Sequence, residues 1–300
     1  MEYPPSLRAH DKVAIVATAR KISTEEIQPA IEMMEGWGLE VIVGKSVNAE
    51  YFQFAGDDEL RINDFQEMLD DETIKAILFA RGGYGTVRLI DEIDWRNFLK
   101  HPKWLCGFSD ITVIHSHLSA LYNFASIHSL MALNFETASE GSIESLKEVL
   151  FGEKIHYTIE GNDLNRRGEA NGILCGGNLS VLYSLNGTAS DISTEGKILF
   201  IEDIDEHLYH VDRMMVNLKR SGKLEHLSAL IAGTFTGMKN KDENNRFGKS
   251  AYEIIAEHTE EFDYPVCFGF PAGHEADNRT LVMGAGWELK ISESVKLIQV

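Results

Sequence analysis

Between residues 13 and 128, short apolar runs alternate with stretches of helical periodicity, and few folds accept that alternation. Residues 13–18, 39–43, 74–80 and 104–108 read as strands, with a fifth at 124–128. Residues 24–36, capped by Ser23 or Thr24, and 57–69, acidic in its first turn as the helix dipole favours, read as helices. Strands without a polar face must be covered on both sides, so the pattern predicts a parallel sheet sandwiched between helices. Ligands of such sheets gather at the carboxyl ends of the strands.

The pattern changes near residue 150. Residues 152–168 are polar and glycine-bearing and read as a linker region, with one strand at 155–159. Beyond it, 197–202, 230–233 and 266–269 read as strands. Residues 207–220 form a helix with Leu208, Val211, Met214, Met215 and Leu218 on one face, and 280–283, 287–291 and 295–300 form a hairpin-like end. The expectation is an α/β protein of two domains, 1–150 and 165–300, the first built on a parallel sheet and the second mixed and strand-rich. A chain of 300 residues with 44% hydrophobic and 25% charged residues has the length and composition for this.

The formal net charge of -19 argues against nucleic acid and anionic membrane surfaces as partners. An anionic small substrate would need a locally positive pocket. The N-terminus carries no apolar segment of signal-peptide length and nothing downstream is long enough to span a membrane, so a cytoplasmic location is expected. The three cysteines, Cys106, Cys175 and Cys267, give no disulfide framework, and Cys106 and Cys267 lie in strand-like runs as buried thiols.

Three places carry candidate chemistry. Ser109 ends the apolar run from Trp104 and opens a helix, which would lift its hydroxyl above the sheet as in a hydrolase nucleophile elbow. The plainer reading is a helix cap, and Ile111 stands where such elbows carry a small residue. Arg81-Gly82-Gly83-Tyr84-Gly85-Thr86 follows the third strand, and its glycines leave backbone N–H groups free to face a ligand. It reads as half of an oxyanion hole, as a phosphate cradle without P-loop spacing, or as a tight turn into a helix near 87–93.

The third place lies in the second half. Glu202 ends an apolar strand and could orient an imidazole, with Asp203 and Asp205 as rivals on spacing alone. His274 lies in a loop shaped by glycine and proline. His115 and His117 compete with it but face down the helix after Ser109, and His207 and His210 sit on another helix. No histidine or cysteine spacing suits zinc, so no metal is expected.

Five blocks in order resemble one family, the LD-carboxypeptidases or murein tetrapeptide carboxypeptidases, with the related microcin-immunity peptidases. They are 80–85, 107–112, 176–180, 197–203 running on to 209–214, and Gly273-His274 with Asp277-Asn278 and Thr280-Leu281. The resemblance implies a flavodoxin-like or amidotransferase-like N-terminal domain carrying the nucleophile and a C-terminal domain carrying Glu and His. It implies Ser109 as nucleophile, Glu202 and His274 as its relay, and the backbone N–H groups of Asp110 and Gly83 as oxyanion donors, with no cofactor. The substrate it implies is a cytoplasmic murein tetrapeptide from wall recycling, losing D-alanine from the L-centre of meso-diaminopimelate. Its terminal carboxylate would want an arginine, with Arg81, Arg88, Arg213 and Arg279 as candidates and Tyr84 as a further substrate contact. A homodimer is also implied.

The chain departs from the family at Thr18-Ala19-Arg20, at His128-Ser129-Leu130-Met131 and at Val282, all near the expected cleft. The rival functions are a peptidase acting on peptidyl nucleotides and a non-catalytic module holding a phosphorylated ligand on the glycine loop.

Overall fold

The computed structural model describes residues 1–242 and 244–300. The apolar runs of the first half become strands β1 (Lys12–Val16), β2 (Glu40–Val43), β3 (Ile74–Phe79), β4 (Trp104–Gly107) and β5 (Ser126–His128), all parallel. Helices α1 (Thr24–Gly36), α2 (Asp58–Asp70), α3 (Thr112–His117) and α4 (Glu140–Leu150) connect or flank them. Ser23 closes a capping box with Glu26 at the start of α1, and Asp57 caps α2.

Alternate residues of each strand face opposite layers. Ala14, Val16, Ile77, Phe79 and Leu105 pack with Phe65 and Leu69 of α2. Val13, Ile15, Ala76, Leu78 and Cys106 pack on the other side with Ile27, Ala30 and Met34 of α1. Each fully buried large side chain contributes about 1.5–3 kcal/mol, so the sheet is a firm base for whatever its carboxyl edge carries.

The second sheet is mixed. Strands β6 (His156–Glu160), β7 (Gly168–Asn178), β8 (Ile198–Ile204), β9 (Ala229–Thr236), β10 (Val266–Phe268), β12 (Gly286–Ile291) and β13 (Ser294–Gln299) stand in the order β10-β9-β8-β7-β12-β13-β6. The β10-β9-β8-β7 part is parallel, and β7-β12-β13-β6 is an antiparallel array. Helices α5 (Leu179–Leu185), α6 (Leu208–Arg220) and α7 (Ala251–Thr259) cover the parallel part.

Two local expectations are corrected. Residues 87–93 form no α-helix. Two 3-10 turns, Thr86–Arg88 and Ile90–Glu92, stand there, neither with a side-chain cap. Residues 281–283 do not join the C-terminal hairpin. They form β11 (Leu281–Met283), which pairs antiparallel with β5 at the edge of the first sheet. Three apolar residues do not encode which sheet they complete.

Strand β11 thus ties the end of the chain to the first sheet, and one apolar cluster runs from Ile127 and Leu281 to Phe200 and Trp287. A polar bolt adds to it. The Asn178 N–H donates to Thr112 Oγ1 at 2.9 Å, and Gly177 beside it leaves no room for a side chain, since a Cβ there would fall 2.5 Å from the same oxygen.

Candidate active site

Strand β4 runs directly into the candidate nucleophile. Ser109 has φ +59°, a left-handed conformation that costs a non-glycine residue about 1–3 kcal/mol. Phe108 before it is extended, and Ser109–Ile111 form a 3-10 turn that leads into α3. The strand-to-helix turn is therefore sharp and strained, the geometry that exposes a nucleophile at the top of a sheet. Ile111 is tolerated because its side chain packs back over Gly107, where a Cβ would lie 2.9 Å from its Cγ1.

The glycine loop after β3 is clamped to this turn by the next side chain. The Thr86 N–H donates to Asp110 Oδ2 at 2.9 Å, and the Thr86 and Thr18 hydroxyls are 2.8 Å apart. Burial pushes the Asp110 carboxyl up from its ordinary pKa, while the donors Thr86 and Gly85 and the charge of Arg61 work against that shift. Arg61, fully buried, donates to the carbonyl of Thr18 at 2.5 Å, and Gly85 at φ +153° gives it room. The result puts Gly82 against the serine: a Cβ at Gly82 would lie 3.3 Å from Ser109 Cβ and 3.4 Å from its Oγ. Gly83, exposed and at φ +111°, comes next along the loop.

Across the cleft, His274 Nδ1 is 2.7 Å from Glu202 Oε2. Glu202 is fully buried at the carboxyl end of β8, so its charge is unscreened. Burial lowers the pKa of His274, but Glu202, then Asp203 and Asp205, outweigh it, and the net shift is upward. Gly273 is required here, because a Cβ at that position would lie 2.3 Å from Thr234 Oγ1 and 3.0 Å from Glu202 Oε2. The imidazole packs on Phe108, with ring centroids 4.7 Å apart, so the neighbour of the serine is also the neighbour of the histidine. Beside them opens a cavity of about 270 Å³, lined among others by Phe108, Leu130, Asn134, Thr137 and His274.

The three acidic rivals go separate ways. Asp203 turns to the neighbouring strand and accepts from Asn178 Nδ2, Ser180 N and Ile204 N at 2.9–3.0 Å. Burial, then the charge of Glu202, pushes its pKa up to about 7. Asp205 is surface-exposed and paired with Lys239 at 2.7 Å. Glu202 and Asp203 are both buried although they are consecutive, because β8 is an interior strand whose residues from Ile198 to Asp203 are buried on both faces.

The competing histidines are spent elsewhere. His115 Nε2–H donates to the carbonyl of Gly107 and its Nδ1 accepts from Ser126; burial holds its pKa down to about 4. His117 bonds Ser190, and His210 bonds Glu206. His207 stacks on Tyr209.

The arginines divide as well. Arg88 is paired with Asp58 and Arg279 with Asp277. Arg213 lies over the ring of Tyr209, and Arg81 donates to the carbonyl of Lys21. Tyr84 is 46% exposed, its ring 6.2 Å from Phe54. The departure from family pattern at 128–131 borders the site twice: Leu130 lines the cavity, and Met131 Cε lies 3.2 Å from a Cβ placed on Gly82. Arg20, just beyond the carboxyl end of β1, is a further arginine that the candidate set omits, and its place after that strand is the signal that marks it.

Known proteins are similar to this chain over nearly its whole length. Residues 13–129 match the LD-carboxypeptidase N-terminal domain and 171–289 the LD-carboxypeptidase C-terminal domain. A probable murein peptide carboxypeptidase of Bacillus subtilis is 32% identical, covering 99% of this chain and 94% of its own. A murein tetrapeptide carboxypeptidase of Pseudomonas aeruginosa is 30% identical over 91% of each. The solved muramoyltetrapeptide carboxypeptidase of Oxalobacter formigenes superposes with a TM-score of 0.86 at 29% identity, covering 96% of this chain and 98% of that one. The microcin C7 self-immunity protein MccF, solved with aspartyl sulfamoyl adenosine, superposes at 0.88 over 98% of this chain and 97% of its own; at 19% identity this likeness is one of fold.

Proposed function

The chain belongs to the LD-carboxypeptidase family, a serine-type hydrolase family, and from that premise we propose that it removes the terminal D-alanine of a murein tetrapeptide in cytoplasmic wall recycling. The observation that carries the reading is a buried carboxylate bonded to an imidazole that packs on Phe108, the residue before a strained serine that a diglycine loop abuts.

Because Nδ1 of His274 is engaged by Glu202, Nε2 is the nitrogen left to take the proton from Ser109. The Ser109 oxygen then attacks the amide carbonyl carbon. The backbone N–H groups of Asp110 and Gly83 receive the oxyanion, a donor of this kind being worth about 3 kcal/mol of barrier. As the C–N bond breaks, Nε2–H returns the proton to the leaving D-alanine amine. Water, deprotonated by the same imidazole, cleaves the acyl ester and restores the hydroxyl. Glu202 fixes the tautomer and stabilises the imidazolium in both half-reactions.

Mass spectrometry of an L,D-tetrapeptide incubated with the protein tests this. The expected result is a tripeptide and free D-alanine, no cleavage of the all-L peptide, and no product from Ser109→Ala. An intact tetrapeptide under conditions where a phosphonate labels Ser109 would leave a serine hydrolase with another substrate, and a peptidyl nucleotide is the first alternative to assay.

A further inference from the structure

A carboxypeptidase must recognise a free carboxylate one residue beyond the bond it cuts. In a protein of net charge -19 that requires a cation held close to the nucleophile and not already neutralised. The paired and buried arginines do not meet the second condition. Arg61 and Arg88 share Asp58 and Arg279 is on Asp277; of the two candidates with no carboxylate partner among the described residues, Arg213 is held over the ring of Tyr209 and Arg81 donates to the carbonyl of Lys21.

Arg20 meets both. It follows β1 at the carboxyl edge of the sheet, is exposed, and its guanidinium has no hydrogen-bond or ion-pair partner among the described residues. Its side chain lies across the glycine loop: a Cβ at Gly83 would fall 2.7 Å from Arg20 Cδ and Nε. A Cβ at Gly82, the preceding residue, would lie 3.4 Å from Ser109 Oγ. The serine thus addresses one glycine and the arginine the next. Consecutive Cα atoms are about 3.8 Å apart, and the scissile carbonyl and terminal carboxylate of a peptide are likewise separated by one residue. The absence of a side chain at position 83 serves a second purpose here, since any would displace Arg20.

We propose that Arg20 is the specificity residue that receives the substrate's terminal carboxylate, its side chain lying over Gly83, the residue next to the glycine that abuts Ser109. The inference rests on the carboxypeptidase reading and gives it a substrate requirement: a C-terminal residue with its carboxylate free. The guanidinium fork suits a bidentate carboxylate, whereas lysine offers a point charge.

The test compares wild type, Arg20→Lys and Arg20→Ala on an L,D-tetrapeptide and on its C-terminal amide, with KM and kcat separated. The wild type should favour the free acid. Arg20→Ala should lose about 10- to 100-fold in kcat/KM on the acid, mostly through KM, and change little on the amide, with Arg20→Lys between. A preference for the acid that survives in Arg20→Ala overturns the proposal.

A second readout does not need turnover. Ser109 labelling is timed with a phosphonate carrying a carboxylate one residue-length from phosphorus and with its methyl ester. Arg20-dependent preference for the acid without tetrapeptide cleavage removes the murein reading and leaves the carboxylate site standing. Equal labelling by acid and ester in the wild type removes the site.

Discussion

On the nucleophile side of the cleft the geometry is made by backbone. Ser109 is held at a positive φ by the turn between β4 and α3, the glycine loop lies against it, and the Thr86 N–H and Asp110 carboxylate that join the two are 24 positions apart. On the relay side the geometry is made by side chains. Glu202 and His274 are 72 positions apart and meet through a single bond, with glycine at 273 to allow the approach. A backbone-built site positions atoms and is insensitive to charge. A side-chain-built one sets a proton affinity and is sensitive to it. The two sides should therefore fail differently: one in geometry at every pH, the other in pH dependence.

The largest effect belongs to the relay side. Glu202→Gln keeps the shape but removes the charge and allows the wrong imidazole tautomer, so kcat should fall about 10⁴-fold. The residual activity carries the more telling number. Glu202 and its neighbours raise the His274 pKa above its ordinary value. With neutral His274 as the proposed base, activity rises as pH climbs through that pKa, and the midpoint in kcat/KM should move to lower pH in the variant. The same group stabilises the fold with the opposite sign, fully below the unfolded histidine pKa and lost as pH rises through the folded one. An unchanged midpoint would mean that another group sets the profile.

Asp110→Asn is the matching experiment on the other side, and its effect should be smaller, about 10- to 100-fold in kcat. The amide can still accept from Thr86 with one oxygen, so the loop loosens but does not detach. The loss should be the same from pH 6 to 9, as a geometric defect predicts. A loss that tracks pH would bring Asp110 onto the proton-handling side and erase the distinction.

The same division explains what could be read from residues alone. The parallel strands, helices α1 and α2 and the turn at Ser109 follow from local periodicity, and the structure has them within a residue or two. The sequence-distant features were not local facts. Whether Glu202, Asp203 or Asp205 faces an imidazole depends on where the distant loop of His274 comes to rest against β8, which no spacing rule shows. Strand β11 is apolar in either sheet, and its partner is fixed by tertiary packing, with Trp287 Nε1 donating to the Val282 carbonyl. Arg20 registered only as a departure from family pattern, because its nearness to Gly83 is created by the loop's fold and not by the thirteen-to-eighteen run it follows.

Asp203 offers the finest cut between the two sides, since it is buried, acidic and next in sequence to Glu202, yet it faces Asn178, Ser180 and Ile204 and makes no bond to His274. Asp203→Asn should lower kcat by about tenfold or less, since Asp203 acts on the imidazole only through its charge and not through a bond. Its larger consequence is in stability. With its pKa pushed up to about 7 from an ordinary value of 3.8, the folded protein holds a proton that the unfolded chain releases, so this group favours folding most below pH 4 and progressively less as pH rises to 7. Asparagine does not ionise, so the difference in Tm between variant and wild type should narrow between pH 5 and pH 8. A constant difference would mean that Asp203 is already ionised at pH 5. A loss of activity equal to that of Glu202→Gln would make the two carboxylates one relay.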